Sequence, residues 1–501
     1  VTMQDVGSVG AEASAGEGRV TAHLESQLAK TDLLDSAFGV YIARLDNEAL
    51  QAARTLDAAA ERGEQLPALA GMTIAVKDLI AVRGAATTAQ SLVHEDPWFD
   101  GQDAPIVAQL RTAGAIITGK TSMAEHAAGR IDPAKPFPVP RNPWDPSRWP
   151  GGSSSGSAIA VSLGLADAAL GSDTTGSLRI PAAFCGITGF RPSTGLVNGT
   201  GCMAASPTLD TMGPMAKSAR DCARVLSVIA PIAEPEWRDS LANVRIGVPK
   251  ALIDSWGDKL DSEIREAFER SLTELQNLGA TIVDIELPEW DLLTSATMLI
   301  TAQELFAGHA ETLRARWIDY GRSFRRIAAI GGFVPGEKIS AVRTALTGAC
   351  GALLTRLNDL DAIAIPTWAQ PPAAYDESLE MGGGELNLTA AWAAAGLPCI
   401  ATPMGLDSRG LPMSLQLAGK PGDDLRVLEI TDCFERSSAN PLPEPPEWTA
   451  EIEAVPDPDQ GKTLLTQEES AALAAMLAPL GISPEPHDFA AIHGMLKALG
   501  A

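Results

Sequence analysis

Twice in this chain an amphipathic helix ends at a glycine and an apolar strand follows at once, and this pattern limits the possible fold more than any other. The first instance reads as a helix over 106–113, Gly114, and a strand over 115–118; the second as a helix over 264–278, Gly279, and a strand over 280–287. Glycine closes a helix in the left-handed conformation that other residues resist, so the chain can reverse into a strand. The apolar run at 72–76 reads as a buried strand, and 244–248, 362–365 and 413–417 are further strand candidates, with helical spacing at 48–62, 219–229 and 425–436. Such alternation predicts an α/β fold, a sheet covered by helices.

The length of 501 residues calls for one large domain with an appendage, or for two domains. Residues 1–19 are small, polar and acidic, lack the basic start and apolar centre of a secretory signal, and are expected to form a flexible leader. The main domain is expected over 20–440. Six prolines between 441 and 458 mark a linker over 441–463. In the remaining 464–501, Thr466 and Glu469 form a capping box ahead of a helix at 470–477, and a second helix is expected at 489–499. This helical tail is too small to hold a core and should dock on the main domain or on a partner.

Composition excludes several classes of function. With 38 basic against 63 acidic side chains and a net charge of −25, the chain repels phosphate backbones and anionic membranes, so neither nucleic acid nor membrane is an expected partner. Cys185, Cys202, Cys222, Cys350, Cys399 and Cys433 form no C-x-x-C pair, which suits a reduced cytoplasm. The histidines form no H-E-x-x-H, and neither metal nor organic cofactor is expected.

The densest chemical signal is a pair of Gly/Ser segments, 149–157 and 170–181, around a small-residue helix expected at 158–165. A flexible linker or a serine-capped helix start is the simplest reading of the first. Apolar flanks instead suggest loops that gather backbone N–H groups and hydroxyls around an oxyanion. The first segment also satisfies G-x-S-x-G with Ser154 as nucleophile, but the histidine that such an elbow needs could come only from His309, His487 or His493. Without one, a serine requires another base. A lysine can serve if burial destabilises its ammonium, and Lys77, at the end of the 72–76 run, is the natural candidate although a lone lysine at a strand end is usually solvated.

Three separated motifs then align in order: Gly71-Met-Thr-Ile-Ala-Val-Lys-Asp78, the 151–157 segment, and 171–181 running on to Gly186. With Gly119-Lys-Thr121, Asn142-Pro-Trp-Asp145, Ala395-Gly-Leu-Pro398, Gly410-Leu-Pro412 and Gln416, the chain resembles the amidase signature family over roughly 45–440. The resemblance implies that family's fold, a large twisted mixed β-sheet with helices on both faces. It implies Lys77 as catalytic lysine, Ser153 as bridging serine after a cis Gly152–Ser153 peptide, and Ser177 as nucleophile. The N–H groups of Thr174, Thr175, Gly176 and Ser177 would form the oxyanion hole, with Ser154, Asp173 and Arg179 in support.

The implied reaction is hydrolysis of a carboxamide, hydrazide or urea-like C–N bond through a seryl acyl-enzyme, the partners being a small amide and water. The family often carries two glycines before the nucleophile; here the first is Thr175, so the backbone there is expected not to need glycine. Two alternatives stand beside this reading: a glutaminase subunit of a tRNA-dependent amidotransferase, disfavoured by the apolar Ile180 and by the tail, and a noncatalytic scaffold. Segments 127–141 and 292–357, with Trp368 and Met203, are expected near the substrate, and a homodimer is the default assembly.

Overall fold

Apolar strands with hydrogen-bonding needs on both edges assemble here into one sheet. The structure, a computed structural model, describes residues 18–375, 386–437, 442–448, 452–456, 459 and 465–498. Among them the strands are β1 (Tyr41–Arg44), β2 (Thr73–Lys77), β3 (Ile116–Thr121), β4 (Ala168–Asp173), β5 (Thr188–Arg191), β6 (Thr211–Ala216), β7 (Arg245–Val248), β8 (Thr281–Asp284), β9 (Ala362–Pro366), β10 (Cys399–Leu406) and β11 (Pro412–Ala418). They form one sheet in the order β1-β3-β2-β4-β6-β5-β10-β11-β9-β7-β8.

The pairing explains that order. Strands β3-β2-β4 and β9-β7-β8 are parallel trios, each built by the helix crossovers that the sequence announces, and antiparallel pairs from β6 to β11 join them. Every residue of β2, β3, β4, β6 and β11 is buried, as expected of strands covered on both faces. Lys77 is the last residue of β2, so the strand carries its amine into the interior.

Several boundaries depart from the sequence reading. Arg19 begins a helix, Arg19–Phe38, instead of ending a leader; residues 1–17 lie outside the described ones. The 280–287 run yields only β8, because β8 pairs with β7 alone and their ladder stops at Val248 opposite Asp284. The 170–181 segment opens not as a loop but inside strand β4, which runs to Asp173. Its Gly171 permits a close approach, since a Cβ there would come within 2.7 Å of Ser154 Oγ. The small-residue helix runs over Ser155–Ser162, starting three residues before its expected place.

The tail docks on the main domain. Its helices are Gln467–Leu477, opened by the Thr466–Glu469 capping box, and Pro486–Ala498. Leu473, Leu477, Ile482, Ile492, Met495 and Leu496 join the main core. The described parts of the proline-rich segment are tied down as well: Trp448 Nε1 donates to Pro143 O at 2.8 Å and Lys217 pairs with Glu444 at 2.6 Å.

Candidate active site

Strand β2 delivers Lys77 to a point where β4 and the 151–157 segment meet. The side chain has no exposed surface, and its Nζ donates to Ser153 Oγ at 2.7 Å and to Ser172 Oγ at 2.9 Å. Burial pushes the amine down to about 7, against a smaller opposite pull from Asp210 and Asp173. A substantial neutral fraction therefore exists at neutral pH, and a neutral amine can take a proton from a bonded hydroxyl.

Ser153 follows a cis peptide bond with Gly152. The next residue, Ser154, donates its N–H to Ser177 O at 3.3 Å, which holds this turn against the Ser177 backbone. Ser154 is fully buried; its hydroxyl donates to Ser172 O at 3.2 Å and accepts from Ser172 N at 3.3 Å. Such a serine braces the strand, and it is not the exposed nucleophile of a hydrolase elbow. Ser177, 8% exposed, sits between β4 and the Arg179–Cys185 helix.

The loop from Thr174 to Ser177 is fastened from behind by Asp173. This carboxylate accepts from Gly176 N at 2.8 Å and Leu178 N at 3.3 Å, and pairs with Arg179 at 2.9 Å and Arg191 at 3.3 Å. Burial opposes its charge, but the two guanidinium groups hold its carboxyl well below the usual range. Arg179 reaches on to Thr389 O at 2.9 Å and Gln416 Oε1 at 2.7 Å.

Of the four expected oxyanion donors, Gly176 N–H is thus already committed to Asp173. The N–H groups of Thr175 and Ser177 meet no acceptor among the described residues. Thr389 Oγ1 donates to Thr175 O. Positive φ is confined to Gly176, at 137°, and Thr175 is not among the residues with positive φ, so the threonine fits without strain. A Cβ on Gly176 would overlap Thr389 Oγ1.

Two residues at this site were not singled out from sequence. Ser172 lies within a segment read as loop, and only its place in β4 reveals that it faces Lys77. Asp210 precedes β6 in a turn without a distinctive motif; its Oδ1 accepts from Thr174 Oγ1 at 2.5 Å. Trp368 packs edge-on against Phe184 at 6.3 Å between ring centres, and Phe184 against Trp149 at 6.0 Å, in an apolar cluster with Ile180 and Ala183. Arg130, from the 127–141 segment, lies over the Trp149 ring at 4.7 Å. Met203 packs on the main core, its N–H bonded to Leu79 O at 2.9 Å.

The histidines stand in other company. His309 bonds to Tyr320 at 3.0 Å and packs on His126 at 4.4 Å between ring centres. Burial lowers it to about 4 and lowers His126, which has a further His309 contribution, to about 3. No group of three His, Cys, Asp or Glu among the described residues could hold a metal ion, and no described helix is long and apolar enough to cross a membrane.

Known proteins bear the same organisation. Residues 22–428 match the family model described as Amidase. A relative from Symbiobacterium thermophilum, one of the subunits of its glutamyl-tRNA(Gln) amidotransferase, is 34% identical over 473 residues, covering 84% of this chain and 94% of the relative. Among solved structures, that of an amidase superposes with TM-score 0.79 at 29% identity, covering 86% of this chain and 99% of its own. The native peptide amidase from Stenotrophomonas maltophilia gives TM-score 0.72 at 27% identity, covering 88% and 99%. Together with the mixed sheet and the ordered motifs, these matches establish that the chain belongs to the amidase signature family.

Proposed function

We propose that the chain is an amidohydrolase in which Lys77 is the base, Ser153 the relay and Ser177 the nucleophile. The observation that carries this reading is the fully buried Lys77 amine, lowered to about 7 and bonded to Ser153 Oγ at 2.7 Å. Neutral Lys77 takes the Ser153 proton while Ser153 takes that of Ser177, whose oxygen attacks the carbonyl carbon. The N–H groups of Thr174, Thr175 and Ser177 face the developing oxyanion, with Gly176 held in line by Asp173. The tetrahedral adduct expels the amine, which receives the proton back through Ser153. Water then attacks the acyl-enzyme by the same route, releasing the acid and restoring Ser177.

Ile180, Ala183, Phe184, Trp149 and Trp368 lie on or beside the helix that follows Ser177. This mostly buried apolar cluster beside Ser177 favours an apolar or aromatic acyl group. A second reading rests on the relatives that belong to glutamyl-tRNA(Gln) amidotransferases: a glutaminase that passes ammonia to a partner protein. Ile180, three residues after Ser177, offers nothing to the polar end of glutamine.

Amine or ammonia release from a panel of aromatic amides, aliphatic amides, hydrazides and glutamine tests the proposal, with Ser177→Ala as control. Aromatic or apolar amides should be cleaved by the parent chain, and turnover should fall by a factor on the order of 10³ or more in the variant. Full turnover in Ser177→Ala contradicts the assignment. Cleavage of glutamine alone supports the second reading.

A further inference from the structure

Among the described residues, Asp210 has no cation in contact, although it lies close enough to Lys77 for each to influence the other's ionisation. Its position is built. Oδ1 accepts from Thr174 Oγ1 at 2.5 Å, and Oδ2 from Ala205 N at 2.7 Å and Ser206 N at 3.0 Å. Ser206 Oγ and Thr208 Oγ1 in turn donate to Glu304, at 2.5 and 2.7 Å, and Glu304 pairs with Arg343 at 2.5 Å. The turn carrying Asp210 is therefore anchored to the Trp290–Arg316 and Gly336–Arg356 helices.

We infer that Asp210 is a positioning residue for the relay: its carboxylate fixes Thr174 at the start of the oxyanion loop and supplies a negative charge that keeps the buried Lys77 amine a competent base. This rests on the Lys77–Ser153–Ser177 reading. The other nearby anion, Asp173, is already matched by Arg179 and Arg191. Arg191 is also near enough to Asp210 for their charges to interact, but it bonds to Asp173, Thr194 Oγ1 and Leu209 O. Of the remaining groups around the pair, Lys120 is paired with Asp78, Glu304 with Arg343, and burial keeps Cys202 protonated, up to about 12. Asp210, more than Asp173, thus opposes the desolvation of Lys77. A base that loses too much basicity accepts a proton less readily in the transition state.

The test is the pH profile of kcat/KM for Asp210→Asn, with Thr174→Val beside it. The neutral amine is the active form, so the rate rises with pH. Removing the anion should move this acid limb to lower pH by roughly one unit and lower the plateau several-fold. Thr174→Val removes the hydroxyl but not the charge; its rate should fall with the limb unmoved. Coincident limbs for Asp210→Asn and the parent chain overturn the inference. Should Asp210→Asn fail to fold, Asp210→Glu decides: with the charge retained, its limb should not move down, and a downward shift contradicts the assigned role. Inactive Lys77→Ala and Ser177→Ala with an unmoved Asp210→Asn limb would remove this inference alone. Full activity in those two variants would remove the relay itself.

Discussion

At Lys77, burial and hydrogen bonding act in sequence: the first lowers the ammonium's stability, the second gives the neutral amine a hydroxyl to take a proton from. Lys77→Arg places an always-charged group there, and kcat should fall by about 10³ or more in a steady-state assay while the fold persists by circular dichroism. In the parent chain the acid limb of kcat/KM should lie at about 7, because protonation below that value removes the base. Asp173→Asn should act on stability first. It leaves the fully buried Arg179 and Arg191 short of their counter-charge, a loss of about 3–5 kcal/mol readable by denaturant unfolding. Lys77, Ser153 and Ser177 could be singled out because they stand within ordered motifs; Ser172 and Asp210 could not, since one is brought to Lys77 by its place in β4 and the other to Thr174 by a turn, and no local pattern encodes either.

At the level of elements, strands with a continuous or alternating apolar pattern were the readable ones: β2, β7, β9 and β11 fall within a residue or so of their expected places. Strands β4 and β6 contain Gly171, Ser172, Gly213 and Pro214, residues that read as turn formers, yet they are held in the sheet by pairing on both sides. Tertiary burial overrode local preference there. Helix packing offers a direct check. Gly331 lies where the Arg322–Gly332 helix crosses the Trp290–Arg316 helix, and a Cβ there would overlap the Ala302 carbonyl. Gly331→Ala should cost about 1–3 kcal/mol in chemical denaturation, against little change for Gly348→Ala, which has open space.

Across the whole molecule, the appendage behaves as part of the main body. Asp488 has no exposed surface; it accepts from Trp317 Nε1 at 2.9 Å and Arg326 Nε at 2.7 Å, and pairs with Arg325 at 2.8 Å. Arg326 also binds Asp459 at 2.7 Å. Asp488→Ala should release the tail, making limited proteolysis ahead of residue 465 faster than in the parent chain; an unchanged digestion rate would show that the apolar contacts alone suffice. The docking itself was foreseeable from the tail's small size, but its site was not, because Arg325 and Arg326 look like a solvated helix face until Asp459 of the linker and Glu485 and Asp488 of the tail arrive. The most direct measurement of the relay is the rate at which a fluorophosphonate labels Ser177 as a function of pH. Labelling should rise through about 7 in the parent chain and be nearly lost in Lys77→Met, whereas a flat profile, or equal labelling of the two proteins, would contradict a lysine-driven serine.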